Sequence, residues 1–305
     1  RMPGPRALEI ARGLTGAWPP GPRHAILTRI HGGDGELLDE GVLVFFAAPA
    51  SFTGEHVVEI TCHGGPVIAS TILAALVARG ARPALPGEFT RRAVLNGRLD
   101  LLQAEAVGDL VDATSRAAQR VALAQLDGSL SRRIAQLRDE ILGLEALAAY
   151  DIDFPEEDDG PIPAARILDA TRRTIDGIDA LLATAPAGEV VREGAVVVIA
   201  GAPNTGKSSL FNALLGRKRA IVTDIPGTTR DALEAVTEAD GWPIRLIDTA
   251  GLRETGEVVE QLGIEVSRGY LERAHVVLAC GDSEATLADA MQAVATLSRG
   301  PTVAV

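Results

Sequence analysis

A glycine-rich segment constrains this chain more than any other feature. Residues 201–208 read Gly-Ala-Pro-Asn-Thr-Gly-Lys-Ser and match the pattern G-x-x-x-x-G-K-[ST] of phosphate-binding loops. The apolar run at 195–200 leads directly into the loop, as a buried strand would, and 209–215 continues with helical spacing as far as Gly216. A strand, a glycine-rich loop and a helix in this order predict a nucleotide-binding α/β domain.

The loop supplies the groups that a bound triphosphate needs. Its glycines let backbone N–H groups close around phosphate oxygens, and the N-terminus of the following helix adds positive potential. In such loops the lysine, here Lys207, reaches the β- and γ-phosphates, and the hydroxyl of the next residue, Ser208, ligates Mg²⁺. The nucleotide-binding residues predicted in this segment are Asn204, Thr205, Gly206, Lys207, Ser208 and Ser209.

A second motif closes the next apolar stretch, at 244–247. It reads Asp-Thr-Ala-Gly, and its predicted nucleotide-binding residues are Asp248, Thr249, Ala250 and Gly251. An aspartate at the end of a strand beside the loop strand holds Mg²⁺, directly or through water. Gly251 can offer its backbone N–H to the γ-phosphate, because a residue without Cβ allows that close approach.

Between the two motifs lies a segment that Pro and Gly mark as a loop, at 224–231. A threonine in such a loop completes the Mg²⁺ shell while the γ-phosphate is present and lets go after hydrolysis. The order of loop, threonine and D-x-x-G predicts a GTPase. The nucleotide-binding residues predicted in this loop and directly before it are Thr223, Asp224, Ile225, Pro226, Gly227, Thr228 and Thr229.

Leu252 follows Gly251 where Ras-type enzymes carry a glutamine that orients the attacking water. Leucine cannot do this, so either hydrolysis is slow or another group positions the water. The acidic candidates that follow are Glu254, Glu257 and Glu260. The nearby arginines, which are more often solvated charges than catalytic fingers, are Arg230 and Arg253.

Several segments carry a resemblance to one family. In the nucleotide-binding part they are Asn204 and residues 220–231 and 248–253. Outside it they are SFTGE at 51–55, HGGP at 63–66, PGEFT at 86–90, LDLLQAEA at 99–106 and DIDFP at 151–155. With these motifs the chain resembles the MnmE (TrmE) family of tRNA modification GTPases over essentially its whole length, and generic GTPases do not share the N-terminal motifs.

The resemblance implies a catalytic mechanism in which K⁺ stands where an arginine finger would. A cation between the phosphates neutralises charge that develops in the transition state. The implied K⁺ ligands are the Asn204 side chain and mainly backbone oxygens of Thr223, Ile225 and Thr228, and the implied Mg²⁺ ligands are Ser208 and Thr229. Glu260 matches the family glutamate that orients water, so the predicted catalytic residues are Glu260, Lys207 and Gly251.

The first ninety residues predict an α/β domain. Residues 25–30, 41–46 and 57–61 are strand-like, and 66–79 predict an amphipathic helix ended by Gly80. The resemblance implies a tetrahydrofolate-binding and dimerisation domain, with 5-formyl- or 5,10-methylene-tetrahydrofolate as cofactor. Its implied folate-binding residues are Arg1, Glu59 and Arg98. From sequence alone Glu59 would be a solvated face residue, whereas a carboxylate can also accept the N–H donors of a pterin.

Residues 99–184 have helical periodicity. One apolar stripe predicts a long helix through Leu99, Leu102, Ala106, Leu110, Val111 and Ala117, and a second predicts another through Leu130, Ile134, Leu137, Ile141, Leu144 and Leu147. Both stripes are interpreted as core, and 186–194 as a linker. We therefore predict a multidomain α/β plus α protein, with an N-terminal domain at 1–96, a helical domain at 97–190 and a P-loop Ras-like GTPase domain at 191–305.

Composition limits the remaining functions. The net charge of −12 disfavours broad contact with tRNA phosphates, and 3% aromatic residues are too few for an RNA-stacking surface. Cys62 and Cys280 give no disulfide framework, and Cys62-His63-Gly64-Gly65 is interpreted as a turn rather than a metal or nucleophile site. Without an apolar stretch of about 18 residues or a signal peptide, we expect a cytoplasmic location and no membrane association.

The guanine-reading motif N-K-x-D does not occur before Val305, so these residues leave the base preference open. The terminal Cys-x-Gly-Lys of the family does not occur either, and Arg1 begins within a motif. We expect that the sequence is truncated, with the GTPase domain incomplete at its C-terminal side.

The expected function follows from the resemblance. It implies a potassium-stimulated GTP hydrolase that acts as a homodimer with the flavin-dependent partner MnmG (GidA). Together they would add an aminomethyl or carboxymethylaminomethyl group at C5 of the wobble uridine of tRNA. Two alternatives stay open: a GTPase switch in ribosome assembly, which would need no folate site, and a scaffold with a vestigial nucleotide site.

Overall fold

The computed structural model describes residues 1–153, 163–216, 233–249 and 268–305, with side chains from 1–150, 163–216, 234–249 and 268–305. The chain forms two compact units, Arg1–Val107 and Gly108–Val305. Among the described residues no helix is both long enough and apolar enough to cross a membrane.

The first unit contains a four-stranded antiparallel sheet of order β1-β4-β3-β2. Its strands are β1 Met2–Pro3, β2 Ala25–His31, β3 Leu37–Phe46 and β4 Val57–Thr61. The three strands predicted from the sequence are confirmed. One face of the sheet packs on α1 (Ala7–Arg12) through a core of Ala7, Ala11, Leu43, Phe45 and Val58.

Two further helices complete this unit, α2 (Pro66–Ala78) and α3 (Glu88–Leu95). The helix predicted at 66–79 is confirmed as α2. Pro66 lies in its first turn, where the missing N–H of proline removes no helical hydrogen bond. Most apolar side chains of α2 are exposed in this chain, and Ile72 is its buried residue.

The helical region contains α4 (Leu101–Asp112), α5 (Arg116–Leu126), α6 (Ser129–Asp153), α7 (Ala164–Leu182) and α8 (Ala185–Glu193). The single helix predicted from Leu99 to Ala117 is wrong. Ser115 adopts an extended conformation and its side chain caps α5 by accepting the N–H of Ala118, so the chain breaks between α4 and α5.

The second stripe lies in one helix, α6, as predicted. Its interpretation as core holds only in part, because Leu137 is buried whereas Ile134 is 43% exposed and Ile141 47% exposed. The predicted linker at 186–194 is wrong, since these residues form α8. Pro186 lies in its first turn and Gly194 ends it with φ +88°, so both turn-forming residues stand at helix ends.

The second unit also holds a five-stranded sheet of order β6-β7-β5-β8-β9. Its strands are β5 Ala195–Gly201, β6 Leu233–Ala239, β7 Trp242–Asp248, β8 Val276–Cys280 and β9 Thr302–Ala304. All neighbours are parallel except β6 and β7. The helices α9 (Lys207–Gly216) and α10 (Glu284–Ala295) accompany it, and residues 268–273 are also helical.

Helices cover both faces of this sheet, which explains the uninterrupted apolar run of β5. Val198 packs on one side with Val277 and with Val294 of α10. Ile199 packs on the other side with Phe211 of α9. The carboxyl ends of the parallel strands β5, β7 and β8 therefore meet at one edge, from which the glycine-rich loop leaves.

Candidate nucleotide site

The backbone of the loop between β5 and α9 requires glycine at two positions. A Cβ on Gly201 would lie 2.3 Å from the carbonyl oxygen of Cys280 on β8. Gly206 has φ +84°, a left-handed conformation that side chains disfavour. Asn204 also has a positive φ, +62°, which asparagine tolerates, and its side chain is exposed. The sequence pattern therefore produces a tight loop that ends at the N-terminus of α9.

Lys207 lies in the first turn of α9 and is only 5% exposed. Its Nζ donates a hydrogen bond of 2.6 Å to the carbonyl oxygen of Ala202, and Thr205 Oγ1 donates to the same oxygen at 2.8 Å. The ammonium is thus folded back across the loop. A buried positive charge at a helix N-terminus is the arrangement that stabilises phosphate oxygens.

Ser208 and Asp248 come together from α9 and β7. The Ser208 hydroxyl donates to Asp248 Oδ2 at 2.8 Å, and the carboxylate is fully buried. Asp248 is brought there because β7 runs parallel to β5, with Asp248 beside Ile199. A hydroxyl that donates a hydrogen bond to a carboxylate still has oxygen lone pairs that can bind a cation.

These two oxygen ligands fit Mg²⁺, which prefers oxygen donors and is usually held by one or two protein groups, phosphates and waters. Among the described residues no group of three or more His, Cys, Asp or Glu side chains could form an all-protein cage. Ser208 and Asp248 could therefore supply two oxygen ligands or hydrogen-bonding groups to a Mg²⁺ shell that other groups complete.

Cys280 also borders the site, although no sequence motif assigns it a role there. It pairs with Gly201 across β5 and β8 and is 3% exposed. Burial raises the pKa of the Cys280 thiol, which keeps it protonated and unreactive. The signal that could have located it is the apolar run 276–280, which forms a buried strand. A second neighbour, Thr249, donates from Oγ1 to the carbonyl of Ile199 at 2.9 Å.

The structure brings together part of the predicted nucleotide site. The residues it places at this edge of the sheet are Asn204, Thr205, Gly206, Lys207, Ser208, Ser209, Asp248 and Thr249. The predicted residues that lie outside the described part of the chain are Thr223, Asp224, Ile225, Pro226, Gly227, Thr228, Thr229, Ala250, Gly251 and Glu260.

The predicted folate residues lie in the first unit. Arg1 Nε and Glu59 Oε1 are 2.8 Å apart, because β1 pairs with β4 beside them. Arg98 occupies a different setting: a Cβ built on Gly54 would lie 3.1 Å from Arg98 Cγ, so the stem of Arg98 passes over that glycine. The structure therefore joins Arg1 to Glu59 and records no ion pair of Arg98 among the described residues.

Comparison with known proteins gives two family-model matches. A model described as the GTP-binding protein TrmE N-terminus matches residues 1–98, and a model described as the MnmE helical domain matches residues 101–300.

Curated relatives cover nearly all of this chain. A tRNA modification GTPase MnmE of Azoarcus sp. strain BH72 is 49% identical over 293 residues, and that of Neisseria meningitidis strain FAM18 is 49% identical over 297 residues. Each alignment covers 96% of this chain but 65% of the relative. The chain thus spans slightly less than two thirds of the length of these relatives.

Among solved structures, the G domain of the T. maritima FeoB iron transporter is 30% identical and covers 36% of this chain and 70% of its own. Its TM-score of 0.28 is too low to establish a shared fold.

Proposed function

The chain belongs to the MnmE family of tRNA modification GTPases, and on that premise we propose that it hydrolyses GTP in the modification of tRNA. The observation that carries this proposal is the hydrogen bond of 2.8 Å between Ser208 and Asp248, beside the buried Lys207. A hydroxyl, a carboxylate and an ammonium at the end of a glycine-rich loop form a site for a magnesium-bound phosphate chain.

In this proposal the loop holds the triphosphate. The backbone N–H groups of 204–209 surround phosphate oxygens, and Lys207 exchanges its hydrogen bond to Ala202 for the β- and γ-phosphates. Mg²⁺ at Ser208 and Thr229 would neutralise phosphate charge, with Asp248 orienting the Ser208 hydroxyl. Gly251 would donate its backbone N–H to the γ-phosphate. Ala250, Thr249 and the loop at 223–229 would complete the nucleotide contacts.

Glu260 is proposed to orient the attacking water, since Leu252 has no hydrogen-bonding group. K⁺ is proposed to be bound by the Asn204 side chain and by Thr223, Ile225 and Thr228, and would supply the positive charge that other GTPases take from an arginine. Asn204 is exposed at a left-handed backbone position, which supports this role because its amide oxygen is accessible to a cation.

The modification reaction is proposed to use a reduced folate, a homodimer and the flavin-dependent partner MnmG. The folate would bind through Arg1, Glu59 and Arg98 as 5-formyl- or 5,10-methylene-tetrahydrofolate. The product would be an aminomethyl or carboxymethylaminomethyl group at C5 of the wobble uridine. GTP hydrolysis would drive rearrangement of the domains proposed at 1–96, 97–190 and 191–305, and would not itself supply carbon. A cytoplasmic location is part of the proposal.

The test is GTP hydrolysis by the full-length protein in potassium and in sodium buffer, with Asn204→Ala beside the wild type. Strong stimulation by potassium that the variant loses is the expected result. Equal rates in both salts would contradict the potassium role and favour a switch in ribosome assembly. No hydrolysis in either salt, with GTP still bound, would contradict the enzymatic proposal itself.

A further inference from the structure

The negative charge of the chain is unevenly distributed. Residues 1–107, the first unit, contain ten arginines, ten acidic residues and no lysine, so their formal charge is zero. The net charge of −12 therefore belongs to residues 108–305. A polyanion such as RNA is repelled where negative charge is in excess, and it meets no such excess in the first unit. Contacts with RNA phosphates are therefore expected in residues 1–107.

The arginines of the first unit differ in their partners. Four of the ten form ion pairs with glutamates, and they are Arg1, Arg6, Arg82 and Arg92. The other six have no ion pair recorded in the part of the chain that the structure describes, and they are Arg12, Arg23, Arg29, Arg79, Arg91 and Arg98. A guanidinium without a carboxylate partner is available to a phosphate.

Three arginines lie together where α1 and α2 end. Arg79 follows the last turn of α2, and its Nη2 donates a hydrogen bond of 2.5 Å to the carbonyl oxygen of Gly13, which follows α1. Arg12 is the last residue of α1, directly before Gly13. Arg6 reaches the same place, because a Cβ built on Gly80 would lie 3.1 Å from Arg6 Nη1. We call Arg6, Arg12 and Arg79 the arginine row.

The guanidinium of Arg12 is held flat against an aromatic ring. Its central carbon lies 4.7 Å from the centre of the Trp18 ring, and Trp18 packs in turn on Phe45, with ring centres 6.1 Å apart. Arg12 itself is exposed. A guanidinium stacked on indole keeps its planar fork of N–H donors, and the stack fixes the long side chain before a ligand arrives.

The arginine row carries an excess of positive charge. Glu9 is the carboxylate recorded as paired with it, and it lies 3.0 Å from Arg6. The Nε of Arg79 is buried without a hydrogen-bond partner among the described residues. Cations at helix C-termini also offset the negative end of the helix dipole. That effect explains why arginines stand there, but it does not require the exposed stack of Arg12 on Trp18.

We propose that the arginine row, with Trp18 beneath Arg12, binds the phosphate backbone of the substrate tRNA. The inference rests on tRNA as the substrate in the proposed function. Guanidinium groups match phosphate oxygens in a bidentate manner. Phosphate contacts fix the position of a nucleic acid without reading its bases, so this surface places the tRNA on the first unit and does not select its sequence.

The experiment is a fluorescence anisotropy titration of the full-length protein with an unmodified transcript of a tRNA that has uridine at the wobble position. The titration is repeated between about 50 and 200 mM NaCl, a range in which phosphate contacts change the affinity strongly. Sodium keeps the proposed potassium site out of the comparison. The variants are Arg12→Gln and Arg79→Gln, with Arg12→Lys to separate charge from geometry.

The matched control is Arg29→Gln. Arg29 is an exposed arginine of β2 without a recorded ion pair in the described part of the chain. Successive strand residues point to opposite faces of a sheet, and Ile26 of the same strand packs in the core with α1. Arg29 therefore lies on the other face of the sheet, and its variant removes the same charge from the same unit.

We expect Arg12→Gln and Arg79→Gln each to weaken tRNA binding about twofold to fivefold at low salt. Each should also lower the slope of log affinity against log salt by about 0.7–0.9, the value for one lost phosphate contact. Arg29→Gln should change neither quantity. Arg12→Lys should keep the slope and lose part of the affinity, because an ammonium keeps the charge without the planar fork.

Thermal unfolding of each variant checks that the first unit is intact. If Arg79→Gln unfolds because Gly13 loses its hydrogen bond, Arg12→Gln carries the test alone, since no hydrogen bond of the Arg12 side chain is recorded among the described residues. Size-exclusion chromatography of each variant checks that the oligomeric state is that of the wild type.

Other outcomes overturn the inference in distinguishable ways. Equal losses in Arg12→Gln and Arg29→Gln would show that binding depends on the total charge of the unit and not on the arginine row. Unchanged slopes in both Arg12→Gln and Arg79→Gln would put the phosphate contacts elsewhere and leave the proposed function standing. No tRNA binding by the wild type at low salt would also overturn the inference, and wobble-uridine modification in cells would then decide on the proposed function separately.

Discussion

The Ser208 hydroxyl donates a hydrogen bond of 2.8 Å to Asp248, a fully buried carboxylate at the carboxyl end of the neighbouring parallel strand. The two residues are forty positions apart in the chain, and only the parallel register of β5 and β7 joins them. The contact orients the hydroxyl before any ligand arrives, so binding a cation there does not require the serine to be reordered.

Asp248→Asn should weaken magnesium-dependent nucleotide binding. Asparagine keeps an oxygen that can accept from Ser208 but loses the negative charge that favours a divalent cation. Hydrogen bonds to charged groups are worth about 1.5–3 kcal/mol, so the gain in affinity that Mg²⁺ gives should fall about tenfold to a hundredfold. The measurement is the affinity for a non-hydrolysable GTP analogue with Mg²⁺ and with a chelator.

The control for that measurement is Asp240→Asn, an exposed aspartate in the turn between β6 and β7. This variant also removes one negative charge, but at the opposite end of β6 and β7 from Asp248. It should leave the affinity for the analogue unchanged both with Mg²⁺ and with the chelator. A loss in Asp248→Asn that is equally large without Mg²⁺ would show that the carboxylate acts on the fold and not on the cation.

Lys207→Ala and Lys207→Arg should both lose GTP affinity. Alanine removes the ammonium, and arginine keeps the charge but replaces a compact ammonium by a planar fork that the tight loop does not fit. With Lys207 only 5% exposed, we expect about a tenfold to hundredfold loss for Ala and a smaller or equal loss for Arg. Equilibrium binding of a fluorescent GTP analogue provides the measurement.

Lys207→Ala also distinguishes the proposed GTP hydrolase from the alternative of a scaffold with a vestigial nucleotide site. If GTP binding is lost and tRNA modification in cells persists, the nucleotide site is vestigial and the scaffold hypothesis gains. If both are lost while thermal unfolding is unchanged, the nucleotide is required for function.

The sequence predicted the strand, the glycine-rich loop and the helix at 195–216 well because their constraints are local. The glycines, Lys207 and Ser208 follow one another, and the strand before them and the helix after them have clear periodicities. The same holds for β4 at 57–61, where four of the five residues are β-branched.

The predictions that were wrong depended on contacts that a local sequence pattern does not contain. A stripe of apolar residues does not reveal that Ser115 caps a new helix, since the capping contact depends on backbone geometry. Proline and glycine indicate loops in general, yet Pro186 and Gly194 stand at the two ends of α8. In the N-terminal unit, a pocket is lined by residues from both 1–10 and 73–92. Hydrophobic periodicity predicts single helices and strands, and it does not predict which distant segments pack together.

Gly201→Ala should destabilise the second unit. Its Cβ would lie 2.3 Å from the Cys280 carbonyl oxygen and 3.1 Å from Thr205 Oγ1, so β5 and β8 would have to move apart. Overpacking of this kind costs about 1–3 kcal/mol, which chemical denaturation can measure. The matched change is Gly188→Ala in α8, where, apart from the neighbouring helix backbone, no atom of the described residues lies within 4 Å of the added Cβ.

Gly188→Ala should leave stability unchanged or raise it by about 0.5–1 kcal/mol, because alanine restricts the unfolded chain and favours a helix. If Gly201→Ala proves as stable as Gly188→Ala, the close approach of β5 and β8 at Cys280 is not a feature of the folded protein.

Glu88→Gln should destabilise the N-terminal unit at neutral pH and less so in acid. Hydrogen bonds from Arg82, the Leu85 N–H and Arg92 hold the pKa of Glu88 far below its ordinary value. A carboxylate with a lowered pKa in the folded state stabilises fully above its unfolded pKa of about 4.3; this contribution shrinks as the pH falls below that value and is lost only below the folded-state pKa. Thermal unfolding from pH 7 to pH 3 should therefore show the difference between wild type and variant narrowing below about pH 4.

The control for the pH series is Glu36→Gln, an exposed glutamate beside β3. It should follow the wild type at every pH, because no hydrogen bond or ion pair of its carboxylate is recorded in the described part of the chain. A constant gap between Glu88→Gln and the wild type down to pH 3 would mean that Glu88 stabilises by its shape and not by its charge. The arrangement of Arg82 and Arg92 around position 88 would then depend on packing and not on the charge of Glu88.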